Sequence, residues 1–150
     1  MKVYPTNINQ PVNSVQRQPE SIVIPVFQFA GTIKAGTSDK WYPTKTTRLT
    51  GGYVTVTTPG TSDVAFAIMK YNIFEQTAGN LSLAGVLPAG DIKTKLYAYG
   101  AGEGPFFGNV RDPGNMIIST YDWISVTCFI MGAGTAPKGA TLQLTGVKAN

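Results

Sequence analysis

Asp63-Val64-Ala65-Phe66-Ala67-Ile68-Met69-Lys70-Tyr71 is the stretch whose reading decides the fold. Val64, Phe66 and Ile68 alternate with Ala65, Ala67 and Met69, so successive side chains are apolar in either direction. Neighbouring side chains of a strand leave on opposite faces, and a strand that is apolar on both is covered on both. The spacing predicts a central strand over 63–71.

Outward from this strand, short β-branched and aromatic runs are separated by Gly, Pro, Asn and Asp about every ten residues. Upstream, 22–29 reads as a strand that Pro25 confines to an edge or a bulge. A second upstream strand, 47–57, kinks at Gly51-Gly52 before Tyr53-Val54-Thr55-Val56. Downstream, 81–86 is a weaker strand. In 92–99, Ile92, Thr94, Leu96 and Ala98 fall on one face and Lys93, Lys95, Tyr97 and Tyr99 on the other, the half-exposed pattern of an antiparallel sheet. A short strand at 116–119 and two closing strands, 121–131 and 140–148, complete the set. No run has helical periodicity. About eight short strands with unequal connections fit an all-β, antiparallel β-sandwich of jelly-roll type better than a closed ligand barrel.

Ahead of this domain, 22–150, lies a segment of different composition, 1–21. Pro5, Pro11 and Pro19 stand among Asn7, Asn9, Asn13, Gln10, Gln16 and Gln18. Each proline fixes φ and removes a donor, which forbids a helix or a central strand. The bland reading is a disordered tail. The sharper one is an extended arm that docks through Val3, Tyr4, Ile8, Val12 and Val15, on its own domain or, as we expect, on a neighbouring subunit.

The chain has 150 residues, enough for one domain burying roughly 70% of its unfolded surface without disulfides. Its one thiol, Cys128, sits among bulky apolar residues in 123–131 and reads as a buried small hydrophobe. Twelve Lys and Arg against eight Asp and Glu give a net +4, spread from Lys2 to Lys148. The densest basic group is Lys34, Lys40, Lys45 and Arg48, with only Trp41 and Tyr42 beside it for base stacking, so a solvated loop is expected and no nucleic acid. No stretch approaches 18 apolar residues and no secretory leader is legible, which predicts a soluble chain with no membrane partner. Charged residues make up only 13%, leaving much of the surface to Thr, Ser, Asn, Gln and backbone, a covering suited to protein–protein packing.

Histidine is absent, which removes the commonest general base, the commonest metal ligand and every Ser-His or Cys-His nucleophile pair. Asp91, Glu103, Asp112 and Asp122 are carboxylates on which a glycosidase pair could draw, although Asp112-Pro113-Gly114 and Pro88-Ala89-Gly90-Asp91 read as turns. Gly132-Ala133-Gly134-Thr135-Ala136-Pro137-Lys138-Gly139 lacks the Gly-Lys-Ser/Thr ending and the helix of a phosphate loop and reads as a hairpin connection. Gly100, Gly102, Gly104 and Gly108 likewise precede no helix. Asn80-Leu81-Ser82 matches a glycosylation sequon of a kind that arises often by chance. The chain is therefore expected to be no enzyme and to use no metal or cofactor.

Aromatic residues remain. Tyr121 and Trp123 are expected in the core. Phe106-Phe107, flanked by Gly104, Pro105 and Gly108 in the long link 99–116, are hard to bury together and read as a partner-binding loop. Trp41, Tyr97 and Tyr99 could serve as sugar-stacking platforms.

Two stretches carry a resemblance. Phe29-Ala30-Gly31-Thr32-Ile33-Lys34-Ala35-Gly36-Thr37-Ser38-Asp39-Lys40-Trp41-Tyr42-Pro43, followed by Leu49-Thr50-Gly51-Gly52-Tyr53-Val54, resembles the opening of a β-sandwich domain of minor structural, tail-associated or decoration proteins of tailed bacteriophages. Tyr121-Asp122-Trp123-Ile124-Ser125-Val126, then a Gly/Thr/Ala/Pro loop and Ala140-Thr141-Leu142-Gln143-Leu144, resembles its close. The family usually carries a short strand with a Lys-Asn-Gly hairpin in the middle, where this chain has Met69-Lys70-Tyr71-Asn72-Ile73-Phe74 and, by comparison, a longer excursion. The resemblance implies a virion component exposed on the particle, bound to other virion proteins or to copies of itself, a trimer among the options. It brings no catalytic residues. The competing expectation is a host-glycan-binding module of a phage tail fibre.

Overall fold

The structure, a computed structural model, describes residues 19–98 and 116–149. Among them are ten strands and no α-helix. In chain order they are β1 (Ser21–Ile22), β2 (Phe27–Thr32), β3 (Gly36–Thr37), β4 (Thr47–Thr55), β5 (Asp63–Asn72), β6 (Glu75–Leu87), β7 (Lys93–Ala98), β8 (Ile117–Ile118), β9 (Asp122–Met131) and β10 (Lys138–Lys148). Every pairing is antiparallel, and the path runs β1-β10-β4-β7-β6-β5-β9-β3, with β2 also on β10 and β8 on β4. The chain is thus all-β and antiparallel.

The sheet curls. From β2 to β5 there are five pairing steps, which in a flat sheet would span about 24 Å. Phe29 of β2 and Phe66 of β5 nevertheless meet edge to face with ring centroids 6.3 Å apart. One core lies inside the curl, drawn from Leu49 and Val54 of β4, Leu142 and Leu144 of β10, Val64, Phe66 and Ile68 of β5, and Ile124 and Val126 of β9. Such side chains contribute about 1.5–3 kcal/mol each when fully buried.

β5 is central as its sequence predicts, paired along its length with β6 and β9. Its second apolar face is buried too: Ala65 and Ala67 join Ala84 of β6 in a smaller cluster flanked by Met69, Leu81, Val86 and Met131. Pro25 acts as a breaker, so the expected strand 22–29 becomes β1 and β2 with an irregular step between them, both on the same side of β10.

Four expectations are corrected. The stretch 69–74 opens no excursion: Ile73 and Phe74 form a tight turn between β5 and β6, closed by the Phe74 N–H donating to Asn72 Oδ1 at 3.0 Å. β6 then begins at Glu75, well before 81. The 132–139 segment is not a hairpin, because β9 and β10 are not neighbours in the sheet; it crosses from one part of the sheet to the other. The Thr61 and Ser62 N–H groups both donate to the Thr135 carbonyl and hold the crossing in place. Ile92, assigned to the inner face, precedes β7 and is exposed, while its carbonyl accepts the Val56 N–H. Tyr121, expected in the core, is 58% exposed, because it lies in the turn before β9 and pairs with the exposed Phe74 ring 5.8 Å away.

Candidate functional site

The outer face of β10, β4 and β7 carries a concavity. Register places side chains there in rows: Thr141, Thr55 and Lys93, then Gln143, Tyr53 and Lys95. The next row has Thr145 beside Gly51, with Tyr97 following on β7. Glycine at the middle of that row leaves a hollow, since a Cβ on Gly51 would meet nothing nearer than Thr145 Oγ1 at 3.8 Å. Gly52 serves the opposite purpose. A Cβ there would lie 2.7 Å from the Gln143 carbonyl oxygen and 2.9 Å from Leu144 Cδ2, so glycine lets β4 approach β10 closely.

The resulting groove encloses about 720 Å³ and is lined by Tyr53, Tyr97, Lys93, Lys95, Thr50 and Thr145 among others. Tyr97 is 57% and Tyr53 45% exposed. Lys95 Nζ stands 6.0 Å from the Tyr97 ring centroid, at the outer limit of a cation–π contact. Thr50 Oγ1 donates to Thr145 Oγ1 at 2.9 Å on the rim. Among the described residues no Asp or Glu lines the groove and neither lysine forms an ion pair.

A second concavity, about 510 Å³, lies at the sheet edge between residues 21–26 and 143–146 of β10. Val23 is 91% exposed there and Val26 is also exposed, on either side of the buried Ile24. β1 is anchored firmly. The Lys148 N–H donates to the Glu20 carbonyl at 2.7 Å, and Lys45 Nζ pairs with Glu20 at 2.8 Å, which holds that carboxyl below its ordinary range.

At the far end of β5 and β9 is a stack of rings. Tyr71 and Trp123, paired across the two strands, lie 4.1 Å apart and nearly parallel, with Lys40 Nζ 4.3 Å above the Trp123 ring. The other side of Tyr71 presses on Gly79, where a Cβ would come within 2.7 Å of the ring. Trp123 is therefore buried as expected, at 7% exposure, but against this stack and on the face opposite Ile124. Its Nε1 has no hydrogen-bond partner among the described residues.

Of the aromatics expected as sugar-stacking platforms, Trp41 and Tyr97 stand apart. Trp41 is half-buried against the main core, bridged to Ile124 beside β9, whereas Tyr97 stands on β7 with β6 and β5 between. Tyr99, the loop residues Phe106 and Phe107, and the arm residues Val3, Tyr4, Ile8, Val12 and Val15 lie outside the described residues. So do Glu103 and Asp112.

Asp122 is buried in a structural turn, accepting from the Ser119 N–H at 2.8 Å and from Asn72 Nδ2 at 3.0 Å. Cys128 is buried, and desolvation pushes its thiol pKa from 9.0 up to about 12, so it has no nucleophilic character at neutral pH. Among the described residues no group of three Cys, Asp or Glu side chains could hold a metal ion, and no helix is long and apolar enough to cross a membrane.

Sequence reasoning missed Tyr53, Thr50 and Thr145 as groove residues. The signal was partly present, since alternation already put Lys93, Lys95 and Tyr97 on one outward face and Gly51-Gly52 marked a kink. What it lacked was the pairing of β4 with β7, which alone sets Tyr53 opposite Lys95. No protein-family model, no curated protein and no solved structure matches the chain.

Proposed function

We propose that the chain is a non-enzymatic virion protein of a tailed bacteriophage, exposed on the particle as a capsid-decoration or tail-associated component and attached to neighbouring subunits by its N-terminal arm. In this reading the curled sheet is a sandwich of the jelly-roll kind, and the neighbours are other virion proteins or further copies of the chain.

The observation that carries the attachment is the way the arm meets the domain. Residues 20–22 are tied to β10 and to Lys45. Because β1 runs antiparallel to β10, with Ser21 opposite Val147 and Glu20 bound to Lys148, the arm joins the domain at the C-terminal end of β10. Beside this root lie the exposed Val23 and Val26 and the groove against Gln143–Gly146, an edge of the kind that extended segments recognise. The absence of histidine and the structural engagement of Asp122 and Cys128 support a role without chemistry.

Deleting residues 1–18 spares Glu20 and its contacts and tests the proposal. The shortened protein is expected to fold with an unchanged melting temperature and to be missing from purified particles. Incorporation at the level of the full chain would overturn it.

A further inference from the structure

We infer that the groove on the outer face of β10, β4 and β7 is a binding site for an acidic saccharide, a carbohydrate chain carrying carboxylates. This goes beyond the attachment role and does not depend on the arm, so either can fail without the other.

The inference rests on three features that coincide in one concavity. Tyr53 and Tyr97, both exposed, line the concavity beside the hollow left by Gly51 and supply aromatic surface of the kind on which the C–H faces of a sugar ring stack. Lys93 and Lys95 project from alternate positions of β7, rooted about 7 Å apart. No carboxylate is among the described residues that line the groove, so the two ammonium groups give it a net positive charge that matches anionic groups of a ligand. Thr50 and Thr145 place hydroxyls at the rim, donors and acceptors that match sugar hydroxyls.

A peptide is disfavoured by the backbone. Over residues 52–55 β4 is paired on one side with β10 and on the other with β7, so this central strand of the groove offers no open edge there for strand addition. The groove is broad and lies on a sheet face, which suits a chain of rings lying flat. Lys95 stands over the Tyr97 ring only at the margin of attraction, 6.0 Å, and its flexible stem can turn away toward a carboxylate.

Calorimetric titration of the full chain with oligogalacturonate and with oligosialic acid tests this, with maltoheptaose as the neutral sugar and polyglutamate as the acidic peptide. Saturable binding to at least one acidic saccharide is expected, at least about tenfold tighter than to maltoheptaose or polyglutamate. Lys95→Gln should weaken it about tenfold, corresponding to about 1.4 kcal/mol, and Tyr97→Ala by as much or more. Both substitutions are at exposed positions, and unchanged melting temperatures would confirm that each variant folds. Failure to bind both acidic saccharides would overturn the inference. Equal binding of polyglutamate, or binding indifferent to Tyr97→Ala, would do so as well, by reducing the site to a patch of charge.

Discussion

The curl of the sheet can be tested through one pair of rings. Phe66 is wholly buried in the centre of β5 and meets Phe29 of β2 edge to face at 6.3 Å. Truncation of a buried Phe to Ala costs about 3–5 kcal/mol. A domain of this size is stable by only about 5–15 kcal/mol, so that substitution risks unfolding the chain outright. Leucine is the better probe, because it keeps most of the apolar volume and removes the ring. Phe66→Leu and Phe29→Leu should each destabilise by about 1–2 kcal/mol, from the volume lost and the ring contact broken. The double variant should cost less than the sum by about 0.5–1.5 kcal/mol, the value of an aromatic pair beyond its buried area. Urea unfolding followed by tryptophan fluorescence and by far-ultraviolet circular dichroism supplies the three differences and checks that the transition is two-state. Residues five strand spacings apart in a flat sheet would not couple. Strict additivity within about 0.3 kcal/mol would therefore refute the single enclosed core.

Other predictions follow from particular contacts. Gly52→Ala should destabilise by about 1–3 kcal/mol in urea unfolding, because its Cβ meets the Gln143 carbonyl oxygen and Leu144 Cδ2 inside contact distance. Asp122→Ala leaves the Ser119 N–H and Asn72 Nδ2 without their acceptor and should cost about 2–3 kcal/mol by the same assay, while Asp122→Asn should retain part of that. Cys128 should resist dithiobis-nitrobenzoate in the native protein at pH 8 and react fully in guanidinium. Its folded pKa is raised, to about 12 from 9.0, so its contribution is whole below pH 9 and is lost as pH climbs from 9 toward 12, where the unfolded thiol ionises and the native one keeps its proton. Cys128→Ala should flatten that alkaline decline in unfolding free energy.

The fold was legible where burial acts on a strand from both sides. Val64 to Met69 could be nothing but central, and Leu142 and Leu144 alternate as a one-faced strand does, with Ala140 before them buried in turn. Legibility fell where turn chemistry is disguised. Ile73-Phe74 are apolar, so no composition rule marks them as a turn; the Asn72 side chain makes it possible. Polar residues at the start of β6 likewise hid a strand that pairing with β5 enforces. The 132–139 crossover looks locally like any hairpin loop, since its glycines satisfy both geometries and only the distant partners of β9 and β10 distinguish them.

The same division holds for the groove. Local alternation gave the outward face of β7, yet Tyr53 lies some forty positions upstream and joins it only through the β4–β7 ladder. Trp41, by contrast, reads as an available aromatic in a polar loop, and its half-burial comes from the bridge to Ile124 that no local pattern encodes.

The most direct test of the proposed virion role is to look for this chain in a cryo-electron microscopy map of the phage particles that the proposal assigns it to. The account predicts copies of the domain on the outer surface of head or tail, each with the segment before Glu20 laid across an adjoining subunit. Particles that lack the chain, or copies whose only contacts with their neighbours avoid that segment, would contradict it.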